Sequence, residues 1–316
     1  MILPKKMKGC GILIIAPRSE SPELLIHRYL STRNSLTEKE YQYYSHLEKG
    51  FEGEKKFDEL ADIYLKDMLF LKDLLLEQNN SHFQMDSLGC SKDGLYLFDI
   101  KNFEGDFIIE GDTWKTTTGI EIKNPYHQLT RCLGLLKKYL LERKSNISIK
   151  AFLIFINPQF TLYQASPTPE IILPTQLDRF LQKLQMDTSN PGTRYNKLIE
   201  TILSDKLSHY PNSNIPRYEY SELLKGVFCL ECRQVMIPLI GRRGKLVCSE
   251  CAKMESIESI ILRSVKEYKV LFPERKVTTM GMYDWCNGTI GEKTIQRHLQ
   301  KNFSRSSRGK FSYYIN

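Results

Sequence analysis

Gln84, Asp86, Asp99 and Lys101 are spaced as polar and charged residues at the ends of two paired strands would be. Asp93-Gly94 bounds the apolar, aromatic run Leu95 to Phe98, and the segment before it ends in Gly89-Cys90-Ser91, which predicts a hairpin turning near Lys92 and Asp93. That turn lies midway between Asp86 and Asp99, so antiparallel pairing sets the two carboxylates opposite each other, about 5 Å apart, and sets Gln84 against Lys101. Side chains alternate along a strand, so Asp99 shares a face with Lys101, and Gln84 with Asp86. Two carboxylates that repel each other can jointly hold a hard cation such as Mg²⁺, and a metal-bound water beside a lysine is a hydrolytic nucleophile. From these residues alone, a hairpin with a solvated charged face is the alternative.

Other elements must position such a patch. Helices are expected at Pro22 to Leu30 and Thr37 to Leu47, and Gly50-Phe51-Glu52-Gly53-Glu54 opens a further one, with Phe57, Leu60, Ala61, Tyr64 and Met68 at helical steps. Glu54 falls on that buried stripe, where it either points inward to the patch or complements the helix dipole. Met68 to Leu76 reads as a strand broken by Lys72-Asp73, and Phe107 to Trp114 as a scaffold hairpin. Glu121-Ile122-Lys123 repeats the acidic-x-Lys pattern, but no apolar strand precedes it and it runs into Asn124-Pro125, an N-cap with proline at the first helical position. The helix that follows carries Leu129, Cys132, Leu133, Leu136 and Leu140 on its apolar face, with Gln128 at the edge, able to reach the patch or a phosphate or to serve structurally. Ala151 to Ile156 is a strand buried on both sides, and Leu177, Phe180, Leu181 and Leu184 mark a closing helix. This order is that of an α/β sandwich.

The set Gly50-x-x-Gly53-Glu54, Gln84-x-Asp86, Asp99-Ile100-Lys101-Asn102 with Gly105, Gly111-Asp112-x-Trp114 and Asn124-Pro125-x-x-Gln128-Leu129-x-Arg131 resembles the nuclease-related domain family, NERD, over about residues 45 to 187. That family is similar to the PD-(D/E)xK, restriction-endonuclease-like nucleases. The resemblance implies a mixed sheet flanked by helices, with Glu54, Asp86 and Asp99 as acidic Mg²⁺ (or Mn²⁺) ligands, Lys101 orienting the attacking water, and Gln128 as an accessory polar residue. One departure is Asp99, where the family usually has glutamate, a side chain longer by one methylene.

With 316 residues, 41% hydrophobic and 26% charged, the chain has room for two or three globular domains, and its formal charge of +8 favours a polyanionic partner. No apolar run has the length of a membrane span, and Met1 to Arg18 reads as a leader or first strand, so a cytoplasmic protein without a membrane partner is expected. Four of the eight cysteines form two Cys-x-x-Cys pairs, a pattern of metal ligands in a reducing compartment.

Those pairs are Cys229/Cys232 and Cys248/Cys251, with Gly241 to Gly244 at the expected hairpin tip between them, and they predict a structural Zn²⁺ site resembling a zinc ribbon. Ile257, Ile260, Ile261, Val265 and Tyr268 mark a helix, Val277 to Cys286 and Gly291 to Asn302 two more, and Gly309 to Ile315 a strand. From Pro273 onward there are eight Lys and Arg against three acids. That order resembles a small winged-helix domain, with Lys293, Arg297, Lys301, Arg305 and Arg308 as nucleic-acid-binding residues, and a solvated basic helix as the alternative.

The expected organisation is an N-terminal leader with helices (1–44), a nuclease-like domain (45–187), a helical linker (188–226), a zinc ribbon (227–254) and a winged-helix-like domain (255–316). The expected function is metal-dependent hydrolysis of phosphodiester bonds in DNA, or alternatively RNA, targeted by the C-terminal region. A non-catalytic nucleic-acid-binding or regulatory protein that keeps the fold is the second reading, and a metal-binding recruitment protein the third. Oligomeric state is open, a homodimer included.

Overall fold

In this computed structural model, which describes residues 14–16, 18–33, 36–207, 214–239, 244–306 and 312–315, the expected hairpin is the middle of a mixed sheet. The chain runs β1 (Ile14–Ala16), α1 (Pro22–Arg33), α2 (Glu38–Tyr64), β2 (Leu69–Gln78), β3 (Ser81–Ser91), β4 (Gly94–Lys101), β5 (Gly105–Glu110), β6 (Thr113–Thr116), β7 (Glu121–Ile122), α3 (Pro125–Glu142), β8 (Ile149–Phe155), β9 (Phe160–Tyr163), β10 (Ile171–Ile172), α4 (Leu177–Asp187) and α5 (Asn196–Asp205). It continues through β11 (Met236–Pro238), β12 (Lys245–Cys248), β13 (Met254–Ser256), α6 (Ile257–Leu271), α7 (Thr279–Trp285), α8 (Glu292–Asn302), β14 (Ser304–Arg305) and β15 (Tyr314–Ile315). The described residues fall into two compact units, one within 1–20 and 46–212, the other within 21–45 and 213–316.

In the first unit the sheet order is β1-β2-β3-β4-β8-β10. The β2–β3 and β3–β4 pairs are antiparallel, and β1–β2, β4–β8 and β8–β10 parallel. Both faces are covered. Along β4, Leu95 and Leu97 enter the core that also holds Leu129, Leu136 and Tyr139 of α3, while Tyr96, Phe98 and Ile100 enter the one that holds Phe57 and Ala61 of α2 and Leu181 of α4. Each such side chain contributes roughly 1.5–3 kcal/mol by leaving water, which is why β4 and β8 tolerate so few polar residues along their lengths. A second sheet, β7-β6-β5-β9, is anchored by Trp114, stacked on Phe155 at 5.8 Å.

Strict alternation fails at one place in the large sheet. Leu69 and Leu71 of β2 share the α3-side core with Leu74 and Leu76, so a three-residue step replaces the expected two. Asp73 lies in that step with φ 51°, a left-handed conformation that Asp tolerates better than most residues and that resets which side chains face which way. The facing strand makes the same change between Met85 and Leu88. Pairing passes from Lys72↔Ser87 to Leu74↔Met85, leaving Asp73 and Asp86 opposite each other outside the ladder. On its other flank β3 pairs with β4 only as far as Ser87↔Phe98. The sheet therefore opens around Asp86.

Three expectations are corrected here. Thr37 to Leu47 and the segment from Gly50 form one helix, α2, which continues through both glycines. Gly53 is needed for close approach, since a Cβ there would lie 2.5 Å from the Cβ of Asn102 and 3.3 Å from Ile156 Cγ2. Gln84 does not face Lys101; with the ladder to β4 ended, its Nε2 donates to Asp73 Oδ1 at 3.2 Å on the neighbouring strand. The helix expected in the linker segment forms, as α5, but it packs as part of the first unit, with Ile199 and Ile202 buried in that core beside Tyr195.

In the second unit, residues expected to belong to a leader, a ribbon and a helical domain share one core, in which Leu30 of α1 lies with Met236, Leu246, Ile260, Trp285 and Leu299. Arg33 ties this core together. Its Nε and Nη2 donate to the two oxygens of Glu267 at 2.6 and 2.9 Å, Nη1 donates to Leu224 O at 2.8 Å, and the guanidinium stacks 3.9 Å over Trp285. A buried fork with its donors used is a pairing that lysine could not reproduce. β11, β12 and β13 form a small antiparallel sheet. α6, α7 and α8 follow, closed by the β14–β15 pair and a bridge from Val277 to Tyr314.

Candidate functional site

The opening around Asp86 is filled by side chains that replace the missing ladder. Asp86 Oδ2 accepts from Ile100 N at 2.8 Å, and the Asp86 carbonyl accepts from Arg18 Nη2 at 2.9 Å. Arg18, just beyond β1, also donates to Ser87 Oγ at 3.0 Å, to both carboxylate oxygens of Asp58 at 2.9 and 3.2 Å, and to Glu54 Oε2. Glu54 and Asp58 are one turn apart on α2, and Lys72 Nζ, on a buried side chain, lies 3.3 Å from Asp58 Oδ1. On β4, Asp99 and Lys101 point to the same side, as expected, with Oδ1 and Nζ 2.6 Å apart.

These carboxylates feel one another. Burial pushes the Glu54 carboxyl up to about 8, with Asp86 adding to the rise and Arg18 opposing it. Burial and then Asp99 push Asp86 up to about 6, while Lys101 and the Ile100 N–H pull the other way. Burial works against the Lys101 ammonium, but Asp99 and Asp86 outweigh it and hold its pKa above that of a free lysine. Carboxyls with raised proton affinity are those a divalent cation would relieve. Asp99 Oδ1 is buried with Lys101 Nζ 2.6 Å away as its ion-pair partner, so it is the residue types, two neighbouring carboxylates and a lysine, that fit a hard cation.

The arrangement is not a closed cage. Asp99 follows the parity of Leu95 and Leu97, on the α3 side of the sheet, and burial and then Asp99 and Asp86 push the nearby Cys132 thiol up to about 12. Glu54 comes from α2, which covers the opposite side. Among the described residues, three carboxylates nowhere bring one ligand atom each within 4.8 Å of one another; only the four cysteines do so. Gln128 is exposed in the first turn of α3, one turn ahead of Cys132, whose thiol donates to Gln84 O at 3.4 Å. The start of α3 is set as expected: Asn124 Oδ1 accepts from Tyr126 N at 2.9 Å, with Pro125 at the first helical position. Glu121, passed over as an acidic candidate, is exposed on β7.

Residues 49–156 match the nuclease-related domain. No curated protein and no solved structure matches the chain. The nuclease-related domain thus spans the helix of Glu54, the hairpin of Asp86, Asp99 and Lys101, and the helix of Gln128. Arg18 lies outside the matched stretch, and sequence reasoning missed it together with Asp58, Lys72 and Asp73. The break expected at Lys72-Asp73 was a signal for two of them; a lone arginine after a short apolar strand gives none.

In the second unit, Cys229, Cys232, Cys248 and Cys251 gather their sulfurs within 4.8 Å of one another, with Cys229–Cys251 at 3.6 Å, Cys232–Cys248 at 3.2 Å and Cys232–Cys251 at 3.5 Å. A sulfur tetrahedron with metal–sulfur bonds of about 2.3 Å has edges of roughly 3.8 Å, close to these separations. Backbone N–H groups of Cys251 and then Glu250 pull the Cys248 thiol down to about 6. At Cys251 the Lys253 N–H pulls the same way, but burial and hydrogen bonds from the neighbouring thiols outweigh it and push that thiol up to about 12, so the cluster shares protons that a metal would displace. The expected hairpin tip at 241–243 lies outside the described residues. On α8, Ile295 and Leu299 are buried, whereas Lys293, Arg297 and Lys301 are exposed. Lys301 Nζ is held by Glu258 Oε1 at 2.8 Å, and Arg305 Nη2 donates to Ser312 Oγ at 2.8 Å. Arg308 lies outside the described residues. No helix among the described residues is long and apolar enough to cross a membrane.

Proposed function

We propose that the chain is a metal-dependent nuclease that hydrolyses phosphodiester bonds in DNA. The observation that carries this reading is the family match over residues 49–156, whose span holds Asp86, Asp99 and Lys101 around a break in the sheet. Asp86 and Asp99 would hold Mg²⁺ or Mn²⁺, with Glu54 beside them and Gln128 as a polar contact at the start of α3. When bound, such an ion supplies charge neutralisation at the scissile phosphate and a more acidic water. Lys101, kept protonated by Asp99 and Asp86, orients the attacking water and offers charge to the developing oxyanion. The peptide N–H of Ile100 fixes Asp86, so the acid on β3 keeps its place while the phosphate enters.

The four cysteines are read as a zinc site with no open position, hence structural, and the exposed face of α8 with Lys293 and Arg297 as the surface that meets the nucleic acid. A reducing, cytoplasmic setting suits such thiolate ligands.

A second reading, a nucleic-acid-binding protein without catalysis, is favoured by one observation: Arg18 and Lys101 already neutralise Glu54 and Asp99 without a metal. Cleavage of linear and circular duplex DNA, single-stranded DNA and RNA in Mg²⁺, Mn²⁺ or EDTA, comparing wild type with Lys101→Ala and Asp99→Ala, separates the two. Metal-dependent cutting lost in both variants is expected. Salt-sensitive binding without cutting on any substrate would give the second reading precedence.

A further inference from the structure

Arg18 has almost no solvent exposure, 4% for its side chain, and each of its nitrogens is in use. Nε and Nη2 take the two oxygens of Asp58, Nη1 takes Glu54, and Nη2 reaches the Asp86 carbonyl and Ser87 Oγ as well. Lys72 adds a second buried cation 3.3 Å from Asp58; the nearby Asp62, at 4.0 Å from Lys72, is 43% exposed. On the α2 side of the opening, then, Arg18 and Lys72 are the buried cations that face Glu54 and Asp58, with Asp73 also acting on Glu54. At the β3–β4 end, Lys101 is the nearest cation to both Asp86 and Asp99, its Nζ 2.6 Å from Asp99 Oδ1, so two carboxylates share one ammonium.

We infer that Arg18 occupies the place of a second metal ion: it holds Glu54 and Asp58, so that the acidic site takes one divalent cation, at Asp86 and Asp99, and Glu54 is not among its ligands. For Glu54 to bind metal it would have to give up its contact with a buried guanidinium, which would then keep Asp58 alone as its carboxylate partner. The unmet negative charge lies where Lys101 is outnumbered, and a divalent ion is drawn there. Arg18 is thus a positioning residue that keeps α2, β1 and the open end of β3 in register before any metal arrives. This rests on the reading of Asp86 and Asp99 as metal carboxylates.

The test is a Mn²⁺ titration of the full chain, with its resident metal content measured first, followed by electron paramagnetic resonance. Wild type is expected to take up one Mn²⁺, which Asp99→Asn loses. Glu54→Gln, isosteric and able to keep a hydrogen bond to Arg18, should hold that ion within about threefold of wild-type affinity. Arg18→Met should admit a second Mn²⁺ at the freed Glu54 and Asp58; if that variant does not fold, Glu54→Gln decides. Uptake of two ions by wild type, or a loss of about tenfold or more in Glu54→Gln, would overturn the inference while leaving the metal reading intact. Absence of any Mn²⁺ site sensitive to Asp99→Asn would instead bring down the metal reading itself, and this inference with it.

Discussion

The two groups of ligating side chains in this chain are built on opposite plans. The four cysteines lie on two short turns, converge within 4.8 Å of one another, and have backbone N–H groups, their own thiols and the nearby Lys253 ammonium to manage their charge. The carboxylates of the first unit come from α2, β3 and β4, and each is met by something else: Glu54 by Arg18, Asp86 by the Ile100 N–H, Asp99 by Lys101. The first plan leaves a site that is unfavourable without its ion, because four thiolates so close repel one another. The second is largely neutralised by the protein itself. A structural ion is therefore expected to be tightly bound, and a catalytic one exchangeable.

The largest effect should follow from breaking the cysteine plan. Cys232→Ser or Cys248→Ser is expected to remove about one zinc per chain and, with it, metal-linked folding free energy on the order of 10 kcal/mol. Metal analysis and limited proteolysis around β11 to β13 check this; a variant that keeps its zinc and its protease resistance would show the cluster to be incidental. Removing Lys101 should act quite differently. Lys101→Ala is expected to keep the fold, at a cost of at most a few kcal/mol because Asp99 loses its ion-pair partner, and to lower cleavage by roughly 10²–10³-fold, since it deletes a positioned charge. Comparable losses of stability in both variants would erase the contrast between the two sites.

The third effect sharpens the acidic plan by pH. Glu54 and Asp86 have carboxyls raised from 4.5 to about 8 and from 3.8 to about 6, so the folded protein holds protons that the unfolded chain has released. Stability without added metal is then full below the ordinary carboxyl range and is lost as pH rises through about 6 and then about 8, by a few kcal/mol, roughly. Glu54→Gln should flatten the upper part of that loss, and Mn²⁺ should oppose the lower part. Urea midpoints across pH 5 to 9 measure both; a wild-type profile that rises over this range would contradict the burial of these acids.

How much of this was legible beforehand depends on whether a feature is local. Both Cys-x-x-Cys pairs, the Asn124-Pro125 cap and the Asp86/Asp99 hairpin follow from spacing of a few residues, and the structure keeps them. The continuous helix α2 was not legible, because Gly50 and Gly53 read as a break until Asn102 is seen against Gly53. Nor was the reset of alternation at Asp73, which needs the facing strand to change with it. Arg18 was the least legible, since its partners lie 36 to 69 residues away on two other elements, α2 and β3.

The smallest effect carries the same contrast to the surface of the second unit. Arg297 and Lys301 are one turn apart on the exposed face of α8, but Lys301 already has Glu258 as a partner and Arg297 has no ion pair among the described residues. A cation with a protein partner must give it up before meeting a phosphate, so its net contribution to binding shrinks. Arg297→Ala is therefore expected to weaken duplex DNA binding and to lower the slope of log affinity against log salt by about 1, whereas Lys301→Ala should change that slope by less than about 0.5. Fluorescence anisotropy over a salt series resolves the two. Equal slopes would mean that the Glu258 contact is too exposed to hold Lys301 back, and would confine the rule that partnered charges are spoken for to buried sites such as Arg18.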